Sequence, residues 1–230
     1  MPKSDPLLLI SPHLDDAVLS CGDFLAAHPG AVVVTVFAGA PPPGAPLTKW
    51  DSAAGFSRSE DVIPRRRAED RAALATLEAQ PVWLDFPDNQ YAPTPPQPLI
   101  VDRLLQLVQD YRPGSFLVPM GLFHRDHRAA ADAALEVARR TEFDACYVYE
   151  DVPYRRVAGL LQARLSALHD AGATVTPATF DVPLTSRKCA AIERYASQLR
   201  ALASPGRPGH ADAYLPERYW RLELQDIHDG

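Results

Sequence analysis

The sequence predicts an α/β fold, a Rossmann-like three-layer sandwich with a mostly parallel sheet, built as a single domain over residues 1–230. Three observations carry this. Short apolar runs rich in β-branched and aromatic residues recur through the first 150 residues, the composition of buried strands. Between them lie longer stretches with Leu and Ala at helical spacing and charges on the other face. Proline, 23 of 230 residues and about twice the usual share, is excluded from helix interiors and central strands, so its gaps outline the elements.

Leu7 to Ile10 reads as the first strand and the proline-free window 13–28 as the first helix, followed by a second strand from Ala31 to Phe37. Gly39 to Pro64, with Pro41, Pro42, Pro43 and Pro46, reads as a loop; window 65–80 is the next helix and Val82 to Leu84 the third strand. A second proline-rich loop, Pro87 to Pro98, precedes a helix in window 99–112. Ser115 to Val118 and Cys146 to Tyr149 are the next strands, flanking a helix from Arg128 to Arg140. Then come an amphipathic stretch, a short apolar run near Ala173 to Phe180 and a last helix from Ser186 to about Leu202. A loop from Pro205 to Gly209 and a terminal strand from Tyr219 to Leu224 follow. Loops as long as the two proline-rich ones are usually functional in a compact domain. Both follow apolar runs read as parallel strands, at the sheet edge where ligands bind, so they are expected to wall a substrate pocket.

Composition excludes several classes. A 47% hydrophobic and 23% charged chain is neither disordered nor fibrous, and its net charge of -6 argues against nucleic-acid binding, which needs a basic footprint. The one dense basic run, Arg65 to Arg67, is followed by Glu69 and Asp70 and reads as a solvated helix face. Three scattered cysteines form neither a disulfide framework nor a zinc-knuckle spacing, which fits a reducing cytoplasm. No apolar run reaches the ~18 residues of a membrane span, and the Met1 to Asp5 start lacks the pattern of a signal peptide. Cytoplasmic localisation without a transmembrane segment is therefore expected; homo-oligomerisation is left open.

Two segments carry chemistry. Ser11-Pro12-His13-Leu14-Asp15-Asp16 ends the first strand as a helix begins, where open α/β sheets bind ligands. His13 and Asp16, three apart, could converge on one cation, or Asp15 or Asp16 could simply cap the helix. His124-Arg125-Asp126-His127 stands at a second strand-to-helix turn. A His/His/Asp set taken jointly from the two turns is a typical catalytic zinc site with a position open for water. No Gly-x-Gly-x-x-Gly occupies the first turn, which disfavours a dinucleotide site.

These motifs resemble those of the PIG-L/LmbE-like family of metal-dependent N-deacetylases, His-Pro-Asp-Asp and His-x-Asp-His. Weaker likenesses are Arg66-Arg67-Ala68-Glu69, Phe86-Pro87-Asp88, Tyr149-Glu150-Asp151-Val152-Pro153-Tyr154 and Tyr195-Ala196-Ser197-Gln198. Leu14 replaces the family's common proline, and Ala17 stands where an acidic residue is frequent. The resemblance implies that His13, Asp16 and His127 bind Zn²⁺, with Fe²⁺ an alternative for the same ligands, and that Asp15 is the general base. Two neutral imidazoles and one carboxylate leave such a site at net +1, enough to acidify water from 15.7 toward ~7. His124, expected to stay protonated through a hydrogen bond to Asp126, would stabilise the oxyanion. Arg66 and Asp88 are implied to hold sugar hydroxyls or an acidic group; alternatively, Arg66 pairs with Glu69 or Asp70, and Asp88 shapes its own turn.

The implied reaction is removal of the N-acetyl group from an N-acetylglucosamine-containing small molecule or glycoconjugate. A related amidase and a non-catalytic sugar- or nucleotide-binding module are the competing readings. Trp50, Phe56 and Tyr91 would stack on a sugar or anchor their loops; Cys21, Lys188 and the Tyr195 to Gln198 segment read as packing. His28, His169, His210 and His228 show no partnering pattern.

Overall fold

The computed structural model describes residues 6–207 and 209–224; the readings made for residues 1–5 and for His228 lie outside them. Strands β1 (Leu7–Ser11), β2 (Val32–Thr35), β3 (Gln80–Trp83), β4 (Ser115–Pro119), β5 (Ala145–Tyr149), β6 (Ala173–Ala178) and β7 (Tyr219–Leu224) form one seven-stranded sheet ordered β3-β2-β1-β4-β5-β7-β6. The first five are parallel, and β7 runs antiparallel to both β5 and β6. The α/β expectation holds. Pro81 and Pro177 fall on β3 and β6, the two edges, where a missing N–H is tolerated, and Pro119 is the last residue of the central strand β4.

Every residue of β1 is buried, as a central parallel strand requires. Alternate residues feed two cores. Leu8, Ile10, Val34 and Phe116 face helices α4 (Gln97–Tyr111) and α5 (Arg125–Arg140). Leu7, Leu9, Val33 and Leu117 face α1 (Asp16–Ala27), α3 (Val62–Thr76) and α7 (Ser186–Ile192), and Cys21 lies in this second core, as expected. Helix α6 (Leu160–Asp170) packs beside β6. Among the described residues, no helix is long and apolar enough to cross a membrane.

Three expectations are corrected. The stretch from Gly39 to Pro64 is not all loop: Thr48 caps a short helix α2 (Lys49–Ala54) by accepting from the Asp51 amide, and a single 3₁₀ turn spans Ser59–Asp61. Pro64 and Pro98 lie in the first turns of α3 and α4, where amide hydrogens have no helical partner, so these helices begin before their prolines. The last helix is two, α7 and α8 (Ala196–Leu202), broken at 193–195. The break lets Tyr195 donate to Asp70 at 2.7 Å and the Ser197 hydroxyl donate to Glu69 at 2.6 Å, tying α8 to α3.

The order reverses at β1, which has β2 on one side and β4 on the other. This is the topological switch point, where a crevice opens beyond the carboxyl ends of the strands. The segments after β1 and β4 both emerge into it.

Candidate active site

The β1–α1 turn is held by its own side chains. Ser11 Oγ donates to the His13 carbonyl at 2.7 Å and accepts from the Ala17 amide at 3.1 Å. Asp15 occupies the N-cap position of α1, yet its carboxylate makes no capping bond and lines the cavity instead. The Asp16 carboxylate folds back to accept from the His13 amide at 2.9 Å. Its Oδ2 lies 3.3 Å from His13 Nδ1 and 3.1 Å from His127 Nε2, although 111 residues separate Asp16 from His127. Each imidazole is braced from behind: His13 Nε2 lies 3.1 Å from Asp126 Oδ2, and His127 Nδ1 lies 2.6 Å from Asp151 Oδ1. Asp151 is held in turn by the Leu122 amide at 2.9 Å.

The spacing of Asp16 from the two imidazoles suits a shared divalent cation. Tetrahedral coordination with bonds of 2.0–2.1 Å has edges of about 3.3 Å, the spacing of His13 and His127 from Asp16, and histidine ligands typically have their second nitrogen held by a carboxylate. Two triads among the described residues bring all their ligand atoms within 4.8 Å of one another, and both share His13 with the Asp16 set: the nitrogens of His13, His124 and His127, and His13 with the carboxylate oxygens of Asp88 and Asp126.

The expected His124–Asp126 side-chain pair does not form. His124 is the N-cap of α5, its Nδ1 accepting from the Asp126 backbone amide at 3.3 Å, and the Asp126 carboxylate turns instead to His13 and to the Asn89 amide at 3.0 Å. Residues two apart at a helix start do not face each other. His124 is not kept protonated either: burial, then the charges of His13 and His127, lower its pKa to about 4.

Burial and the charge of Asp16 push the Asp15 carboxyl up to about 7. Burial opposes ionisation of Asp16 too, but the two imidazoles outweigh it and hold that carboxyl well below the usual range. His127, despite burial, is raised to about 9 by Asp16 and Asp151. Burial likewise works against a charged His13, yet hydrogen bonds to Asp126 and Asp16 and the charge of Asp88 raise it well above its ordinary value. The cluster therefore favours positive charge between its carboxylates, supplied by protons or by a metal.

Of the side chains given a catalytic, metal-binding or substrate-binding role from the sequence, His13, Asp15, Asp16, Arg66, Asp88, His124 and His127 line one cavity of about 350 Å³ and Asp126 does not; of the candidate stacking aromatics, Trp50 lines it and Phe56 and Tyr91 do not. Arg66 pairs with neither Glu69 nor Asp70. Its guanidinium donates to Asp51 at 2.8 Å, with both groups buried, while Arg65 takes Glu69 at 3.1 Å. Asp51 also receives the Tyr91 and Thr48 hydroxyls, and Thr48 sits 2.7 Å from Gln90, so Tyr91 anchors one proline-rich stretch to the other. Asp88 does shape its turn, accepting from the Gln90 amide at 2.9 Å, yet it also faces His13 Nε2 at 3.8 Å. Both proline-rich stretches wall the cavity, through Thr48, Trp50, Asp88 and Gln90. Phe56 lies under Arg66, and Arg207 over Trp50.

Asp51 is not singled out from the sequence, and Asp151 and Tyr154, though within the family-like segment Tyr149 to Tyr154, are given no role there. Asp151 had a usable signal, since it stands two residues beyond β5, on the same edge as the other motifs. Tyr154 lines the cavity with its ring 5.2 Å from that of His127. Gln198, read as packing, also reaches the cavity, and its buried Oε1, like Arg66 Nε, has no partner among the described residues. Lys188 is indeed structural, a buried ion pair with Glu217 at 2.8 Å.

Comparison with known proteins agrees with this layout. The A40926 pseudoaglycone deacetylase Dbv21 is 29% identical with a TM-score of 0.77, the match covering 96% of this chain and 98% of that one. A deacetylase solved in complex with teicoplanin, from the biosynthesis pathway of teicoplanin, is 25% identical with a TM-score of 0.76, covering 96% and 99%. GalB, the 4-carboxy-2-hydroxymuconate hydratase of Pseudomonas putida, shares only the fold, at 17% identity and a TM-score of 0.57 over 98% and 99% of the chains. No curated protein matches. Residues 8–138, more than half of the chain and including both histidine motifs, match the family described as PIG-L, GlcNAc-PI de-N-acetylase. The chain belongs to that family, and it is a hydrolase of the deacetylase type.

Proposed function

We propose that this enzyme removes the N-acetyl group from an N-acetylglucosamine unit carried on a small molecule or glycoconjugate, using a divalent metal held by His13, Asp16 and His127. The observation that carries the reading is the position of Asp16 Oδ2, 3.3 and 3.1 Å from two imidazoles that are each braced by a second carboxylate. The deacetylases named above support a substrate in which the amino sugar is attached to a larger aglycone. Three free thiols support a reducing cytoplasm as the working compartment.

When bound, Zn²⁺ or Fe²⁺ supplies Lewis acidity, bringing a water's pKa from 15.7 toward ~7 and polarising the acetyl carbonyl. Asp15, with its carboxyl held near 7, would take the proton of the water that attacks the carbonyl carbon. With Nδ1 committed to the Asp126 amide, neutral His124 keeps its proton on Nε2 and donates it as a hydrogen bond to the developing oxyanion. Collapse breaks the C–N bond. The amine leaves with the proton stored on Asp15, and acetate remains. Arg66 and Asp88 hold sugar hydroxyls on the cavity wall.

Metal analysis of purified and reconstituted protein, with acetate release measured over a panel of N-acetylglucosaminides, tests this reading. Near-stoichiometric metal and release from at least one glycoside are expected. Failure to bind any divalent metal would sink it.

A further inference from the structure

Phe123, the residue before His124, holds a backbone conformation that aromatic residues avoid. Its φ is +59°, in the left-handed region that bulky side chains avoid. The other non-glycine residues with positive φ among those described, Glu78 and Arg112, follow the last turns of α3 and α4, where a left-handed residue closes the helix. Phe123 instead precedes the N-cap of α5. Two residues earlier the chain meets the same demand with Gly121, at φ +79°. Nor does the core call for the ring, which is 64% exposed. A strained backbone holding an exposed aromatic beside a site points to function.

Among the described residues, the ring has one aromatic neighbour, Tyr154, at 5.2 Å between centroids. Tyr154 lines the cavity, edge-on to His127 at 5.2 Å and parallel to the His124 ring at 6.5 Å. Val157, also exposed, adjoins Tyr154 through a turn, its amide donating to the Tyr154 carbonyl at 3.0 Å. The Phe123 and Tyr154 rings thus make an apolar shelf that joins the cavity at Tyr154 and is open to solvent at Phe123. We propose that Phe123 is a specificity-determining residue, and that this shelf binds an aryl group attached to the amino sugar of the substrate. This rests on the deacetylase reading of the cavity. Ring-on-ring contact is the chemistry the shelf offers, because offset and edge-to-face aromatic pairs gain beyond their buried area. Its continuity with the cavity through Tyr154 argues for substrate as the occupant.

The test compares phenyl N-acetyl-β-glucosaminide with free N-acetylglucosamine in the wild type, Phe123→Gly and Phe123→Tyr, by acetate release. Glycine adopts positive φ without strain, so the path of the chain into His124 is kept. Phe123→Gly is expected to lower kcat/KM for the phenyl glycoside about five- to tenfold, mainly through KM. Turnover of the free sugar and the melting temperature should not fall, and Phe123→Tyr should retain the preference for the phenyl glycoside. Equal losses on both substrates, or no loss on either, would overturn the proposal. So would a change of oligomeric state in Phe123→Gly by sedimentation, which would make the shelf a contact between copies. Acetate release by the wild type from neither compound, nor from any other N-acetylglucosaminide of the panel, would instead remove the proposed N-acetylglucosaminide reading, and the proposal with it.

Discussion

Asp15 and Asp16 are adjacent in sequence and opposite in electrostatics. Asp16 touches both imidazoles and stays ionised, while Asp15 meets burial and the charge of Asp16 and is pushed up to about 7. Two neighbouring carboxyls with separated pKa values are the arrangement that assigns a ligand and a base. Asp15→Asn should therefore cut kcat by ~10²–10⁴ with an unchanged circular-dichroism spectrum, the usual share of a general base; full activity would remove Asp15 from that role. Asp151 acts through His127. Asp151→Asn should weaken metal affinity by about 10- to 100-fold in a chelator competition, and unchanged affinity would leave it a purely structural brace. The ligand types were legible from His13 to Asp16 and from His124 to His127 because each set is local. Their partners were not: Asp51, Asp126 and Asp151 reach Arg66, His13 and His127 across 15, 113 and 24 residues.

At the scale of elements, α3, α8 and β3 meet at Asp70, which accepts from Tyr195 Oη at 2.7 Å and Trp83 Nε1 at 2.8 Å. Burial raises its pKa to about 6 against those two hydrogen bonds. The fold thus binds a proton there more tightly than the unfolded chain, whose Asp titrates near 3.8. The associated stability is fully present below pH 3.8 and is lost as pH rises through 6. At ~1.4 kcal/mol per unit, a shift of about two units corresponds to about 3 kcal/mol. Relative to Asp70→Asn, the wild type should lose about that much between pH 4 and 7 in denaturant unfolding, and a pH-independent difference would refute it. The alternation of strands and helices was readable because periodicity and proline position are local properties. The break between α7 and α8 was not, since Glu193-Arg194-Tyr195 is not helix-breaking by itself. It follows from bonds that Tyr195 and Ser197 make to a different helix.

For the whole molecule, the switch point between β1 and β4 decides that two remote motifs share one crevice. Folding assembles the proposed ligand set of His13, Asp16 and His127, so metal should stabilise the native chain by mass action. Zinc at a thousand times its Kd contributes ~4 kcal/mol, which should raise the melting temperature of metal-stripped protein by roughly 10 °C. His127→Ala should abolish most of that rise, and a full rise in that variant would show that the metal sits elsewhere. The sequence by itself determined the α/β class, both histidine motifs and the two proline-rich walls, because strand composition, helical period and proline's missing N–H act within a few residues. Only the tertiary structure decided that Asp126 braces His13 and leaves His124 neutral, that Arg66 is held by Asp51, and that Phe123 stands exposed beside Tyr154. Those outcomes depend on which side chains the sheet order brings within hydrogen-bond or contact range, and no local pattern encodes that distance.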